Sequence, residues 1–70
     1  MKRQNVKSSN VRSIGYYEEL KILEVEFMSN DVYQYLEVPE NIFVEVMTAP
    51  SIGSAIHKIL RGTFKFKKVS

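Results

Sequence analysis

A chain of 70 residues has room for one domain with a thin core, since a chain this short buries only about 60% of the surface its unfolded form exposes. Its 44% hydrophobic and 26% charged residues exclude a wholly disordered polymer, and the lack of cysteine excludes disulfide staples and thiolate metal sites. The net charge of +2 hides a segregation: residues 1–17 carry +4, residues 18–45 carry −7 and residues 46–70 carry +5, a pattern suited to polar partners if the fold joins the two basic ends.

In chain order, residues 1–9 are polar and basic without periodicity, which predicts a flexible basic N-terminal segment and a single domain over residues 10–70. No apolar run follows the start and none approaches the ~20 residues of a membrane span, so the sequence predicts a cytoplasmic protein without signal peptide or membrane contact. Val11 to Tyr16 reads as a first strand. Leu20 to Phe27 alternates, with Leu23, Val25 and Phe27 on one side and Ile22, Glu24 and Glu26 on the other. Ser29-Asn30-Asp31 marks a turn, and Val32 to Val38 alternates again. A two-residue turn after Met28 predicts that Leu23, Val25 and Phe27 share the covered face with Val32, Leu36 and Val38. Tyr33 and Tyr35 then stand outside, beside Glu24 and Glu26; a one-residue change of register sends both rings into the core.

Pro39 is suited to start a helix, with Ile42, Phe43, Val46 and Met47 as its apolar stripe and Glu40 in its first turn. Ala49-Pro50 ends it. Ser51 is placed to cap a second helix with the stripe Ile52, Ile56, Ile59 and Leu60, and Gly62 follows as a C′ residue. Phe64 and Phe66 then alternate with Lys65 and Lys67, as in a terminal strand. The predicted fold class is α+β: a three-stranded antiparallel meander, two helices packed on one face and a short C-terminal β segment. Its expected core is Ile14, Leu23, Val25, Phe27, Leu36, Val38, Phe43, Val46, Met47, Ile56, Leu60 and Phe66.

Ser13-Ile-Gly-Tyr16, Leu23-Glu-Val-Glu-Phe27, Val32-Tyr-Gln-Tyr35 followed by Val38-Pro39, Ser51-x-Gly53 and Arg61-Gly62 resemble, in order and spacing, the KTSC domain pattern, from about Ser8 to Val69. The resemblance implies a small domain that also stands at the C-terminus of some lysyl-tRNA synthetases and occurs alone in bacteria or phage. RNA binding, of tRNA or another RNA, is the activity suggested for it. His57 stands where the family commonly has asparagine, and Phe64-Lys65 where Tyr-Pro is common.

The candidate nucleic-acid contacts are Arg12, Lys58, Arg61, Lys65, Lys67 and Lys68, which meet only if the last strand pairs beside the first, together with Tyr33 and Tyr35, whose rings are placed to stack bases. An edge strand whose lysines discourage aggregation explains the terminal alternation equally well. Ser51, Gly53 and Ser54 are a weak candidate anion cradle, with an ordinary helix cap as the simpler reading. His57 has no nucleophile or orienting group spaced to suggest catalysis. No P-loop, zinc or triad motif occurs, so no metal, cofactor or enzymatic activity is expected. The alternative function is a protein-interaction or homodimerisation module using a free strand edge or the tyrosine face.

Overall fold

The computed structural model describes residues 3–70, and what the sequence predicts for residues 1 and 2 lies outside the described residues. Five strands form one sheet in sequence order, with every neighbouring pair antiparallel: β1 (Gln4–Asn5), β2 (Val11–Tyr17), β3 (Ile22–Phe27), β4 (Val32–Tyr35) and β5 (Phe66–Lys68). The predicted meander is thus flanked by two further strands. The segment read as flexible contributes β1, which pairs Gln4 with Ile14 and Asn5 with Ser13. Val6 packs against the core, and the Ser8 hydroxyl accepts from the N–H groups of Asn10 and Val11. Short polar side chains that hydrogen-bond locally, rather than apolar periodicity, order this stretch.

The loop after β3 sets the architecture. Asn30 N–H donates to Phe27 C=O and Phe27 N–H to Asp31 C=O, at 2.9 Å each, and Asn30 has φ +74°. This is a three-residue hairpin loop, a tight turn followed by a left-handed residue, and asparagine tolerates that conformation. The odd count places Val25 opposite Tyr33 and Leu23 opposite Tyr35. The two-residue turn is therefore corrected, and with it the exposed position of the tyrosines. Both rings share the covered face with Leu23 and Val25; Glu24, Glu26 and Gln34 face away.

A left-handed residue at Glu37 (φ +55°) bends the chain after β4, and Val38, three positions beyond Tyr35, re-enters the core. Leu36 falls outside the core for the same reason. In β2 a bulge between Val11 and Ser13 keeps both Val11 and Ile14 on the covered face and pushes Arg12 outward.

Both helices lie on that face. α1 (Glu40–Thr48) begins after Pro39 and buries Val46, while Ile42, Phe43 and Met47 are partly buried. Tyr16 ties α1 to the sheet: its ring stacks on Phe43 at 4.8 Å and its hydroxyl donates to Val38 C=O at 2.6 Å. α2 (Ile52–Ala55) is capped by Ser51, whose hydroxyl accepts from Ser54 N–H, and runs into a π-helical segment (Ile56–Leu60). Val11, Ile14, Leu23, Val25, Tyr35, Val38, Val46, Ala55, Ile56 and Leu60 form the core. Phe66, expected inside, is 49% exposed because β5 is the outermost strand.

The chain leaves the π-helical segment through Arg61 (φ −69°, ψ 130°) and Gly62 (φ +84°), with Thr63 N–H donating to Leu60 C=O at 3.2 Å. These are type II turn angles, and Gly62 holds the position that needs positive φ. Gly62 follows the Arg61 C-cap, so it is the C′ residue the sequence predicts, and the turn supplies its positive φ. A Cβ there meets nothing within 4 Å, so Gly62→Ala isolates the backbone cost. Chemical denaturation should show a loss of about 1 kcal/mol, with Gly62→Asn in between.

Candidate nucleic-acid interface

Beside α2, on the helix-bearing face of the sheet, lies an open groove of about 690 Å³. The strands supply its aromatic side. Phe66 lies directly opposite Tyr35 and diagonal to Tyr33, and such neighbours on one face of an antiparallel pair come within contact. The rings are stacked accordingly, with centroids 5.6 Å apart for Tyr35–Phe66 and 5.5 Å for Tyr33–Phe66. Phe27 meets Tyr33 edge-on at 5.6 Å. Tyr35 is nearly fully buried, whereas Phe66 keeps half its surface open to solvent.

The helical side supplies cations. His57, Lys58 and Arg61 line the groove from the π-helical segment and the residue after it, with Gly53, Ser54 and Ile56. The wider π turn is closed by Arg61 N–H donating to Ile56 C=O at 3.2 Å, and such turns recur at functional sites. Burial pushes the Tyr35 hydroxyl above its ordinary range, and the Arg61 guanidinium, which interacts with it, opposes that rise. Asp31 at the groove margin is already engaged. Its carboxyl is held below the usual range first by the Ser29 hydroxyl and then by Lys68, whose ammonium lies 3.2 Å away.

Of the residues singled out in the sequence, the groove brings together Tyr33, Tyr35, Lys58, Arg61, Gly53 and Ser54, with Lys68 at its margin through Asp31. Arg12, Lys65 and Lys67 do not line it. The single basic patch is corrected: β5 pairs with β4, not with β2, and two strands separate Arg12 from the terminal lysines. Lys67 lies opposite Gln34 and therefore on the far face. The anion cradle also takes another form. Ser54 N–H is occupied by the Ser51 cap, and a Cβ on Gly53 would meet Asn10 Nδ2 and Ser8 Oγ at 3.5 Å, an ordinary van der Waals contact, so neither position is reserved for an anion.

The far face carries a polar network that sequence periodicity did not reveal. Glu24, 8% exposed, accepts from Arg3 Nη1 at 2.6 Å and from Gln34 Nε2 at 2.8 Å. Glu26 accepts from Ser13 Oγ at 2.9 Å and lies 3.8 Å from Arg3 Nη2. Gly15 opposes Glu24 on β2, and continuing the β1 register sets Arg3 on its other side; without a side chain there, the guanidinium can cross. A glycine inside a strand was the one signal of this approach. No buried side-chain nitrogen or oxygen lacks a partner among the described residues. Nor, among them, do three or more histidine or acidic side chains gather as a metal would need, and no helix is long and apolar enough to cross a membrane.

An antiparallel meander with two helices on one face, and an aromatic groove between sheet and second helix, defines a two-layer α+β domain. The chain belongs to the KTSC family: the KTSC domain model matches residues 7–64. The match takes in Tyr33, Tyr35, Lys58 and Arg61, while β1 and β5 fall outside it. An uncharacterised protein of Stutzerimonas stutzeri is 39% identical over 61 residues, covering 87% of this chain and 86% of that protein. A lysine–tRNA ligase of Nostoc punctiforme is 34% identical over 62 residues, 89% of this chain but only 11% of the ligase. The crystal structure of a KTSC domain protein from Yersinia pestis superposes with a TM-score of 0.94 at 38% identity, covering 99% of this chain and 97% of that one.

Proposed function

We propose that this domain is a non-catalytic, cytoplasmic RNA-binding module that takes an unpaired stretch of RNA into the groove. The observation that carries the reading is the meeting, in one groove, of Phe27, Tyr33, Tyr35 and Phe66 with Lys58 and Arg61. A base stacked on an exposed ring contributes about 1–3 kcal/mol, and neighbouring cations neutralise the flanking phosphates. Asp31 opposes this little, since Lys68 is already beside it. The likeness to a part of lysine–tRNA ligases supports an RNA context, tRNA included. Arg12, Lys65 and Lys67 have no part in this site.

Titration with labelled single-stranded RNA at 50 and 200 mM salt tests the reading. Two phosphate contacts, by Lys58 and Arg61, predict a log–log salt slope of about −1.4 and a roughly seven-fold loss of affinity across that range. Replacing both Lys58 and Arg61 by alanine should flatten the slope by about 1.4. Phe66→Ala should weaken binding about five-fold or more with the slope unchanged. Absence of binding at 50 mM salt, or binding indifferent to salt and to these variants, removes the proposal.

A further inference from the structure

The outer edge of the sheet supports a second interaction that does not depend on the groove. β5 stands at the end of the strand order, with β4 on its inner side. Leu36 N–H donates to Lys65 C=O and Val69 N–H to Val32 C=O, both at 2.8 Å, and Lys67 opposes Gln34. Alternation along an antiparallel ladder therefore turns the main-chain groups of Lys65, Lys67 and Val69 inward and those of Phe66 and Lys68 outward. All three residues of β5 are exposed, and so are Lys65 and Val69 on either side. No proline interrupts this stretch.

We propose that this edge accepts an extended acidic segment of a partner protein, which adds to the sheet as a sixth strand. A row of outward N–H and C=O groups is the template for strand addition. Charge selects the occupant. Residues 46–70 contain five cations and no acid. A second copy pairing antiparallel about Lys67 would set that lysine against its own counterpart, and like charges directly opposite destabilise a strand pair. The side chains also dictate a pattern: an acid in the incoming strand faces Lys67 on one side of the sheet, and an apolar residue faces Phe66 on the other. RNA has charge but no repeating donor–acceptor pairs to match the edge.

The test follows amide hydrogen exchange by NMR on the full chain, with a blocked seven-residue peptide alternating aspartate and valine as probe. Saturating peptide should slow exchange at Phe66 and Lys68 at least ten-fold while leaving Lys67 within two-fold. Lys68→Pro, which removes only an outward N–H from the ladder, should abolish the effect. Lys68→Ala, which keeps that N–H, should retain it, and circular dichroism checks that both variants fold. Several results would overturn the proposal: no slowing in the wild-type chain, equal slowing by a control peptide of the same length alternating lysine and valine, or equal loss in both variants. So would protection that rises with protein concentration alone, which makes a second copy the occupant, or protection of the same two amides by single-stranded RNA. Weakened RNA binding in the Lys58→Ala, Arg61→Ala double variant, with peptide protection intact at Phe66 and Lys68, separates this edge from the groove.

Discussion

Tyr35→Ala should destabilise the domain by about 3–5 kcal/mol, the usual cost of removing a large buried aromatic side chain. A chain of 70 residues has only about 4–10 kcal/mol of stability to lose. Tyr35 is 2% exposed, sits opposite Leu23 and lies within the core cluster, so the void has little means of collapsing. A urea melt should show the midpoint falling by about a third or more, with a raised unfolded fraction at 37 °C. Tyr35→Phe keeps the ring and separates packing from the hydroxyl. Because burial raises the hydroxyl's pKa in the folded state, its contribution to stability is full below the ordinary value of 10.0 and is lost as pH rises through the raised value. The wild-type chain should therefore weaken in alkali, and Tyr35→Phe should weaken less. Tyr16, raised chiefly by burial and then by Glu40 and Glu18, adds to the same alkaline loss in both. A midpoint unchanged in Tyr35→Ala would mean that the ring is not in the core.

Arg3→Ala carries the second large effect, a loss of about 1–3 kcal/mol, because it deprives a nearly buried carboxylate of its charged partner. The lower half of that range allows for Arg3, whose side chain is 27% exposed. The diagnostic is a double-mutant cycle with Glu24→Gln. Without the carboxylate charge, alanine at residue 3 should cost little, so the coupling should exceed about 1 kcal/mol. Additive losses would show that β1 is held by its backbone bonds alone. The expectation matters because the sequence assigns this stretch to a flexible segment, whereas the fold uses it to cover the outer side of Gly15 and Glu24.

The strands and helices were legible because each signal was local. Alternation located β2, β3 and β4; the stripe Ile42, Phe43, Val46 and Met47 located α1; and Ser51 marked the start of α2. What local signals did not carry was parity. Whether the loop after β3 holds two residues or three depends on whether Asn30 adopts a left-handed conformation, and that decides which face Tyr33 and Tyr35 occupy. Both alternations, Leu23/Val25/Phe27 and Tyr33/Tyr35, fit either choice. β1 was missed because two residues are too few for a period, and the burial of Glu24 because its partner lies 21 positions away. The groove was half legible. Its tyrosines, Lys58 and Arg61 were singled out together, but with the rings on the outer face and with Arg12, Lys65 and Lys67 among the cations; the inverted register is what seats the rings beside the second helix.

The hairpin at Asn30 also constrains how the tip can change. Phe27 and Asp31 close the loop, so a two-residue tip between them would leave Val25 facing Tyr33 and both rings indoors, whereas a slip of the pairing by one residue would present Gln34 to the oily interior and the rings to water. Loss of one residue should accordingly be borne where the shorter tip can take left-handed angles, and a library of tip lengths sorted for folded clones should be rich in glycine and asparagine there.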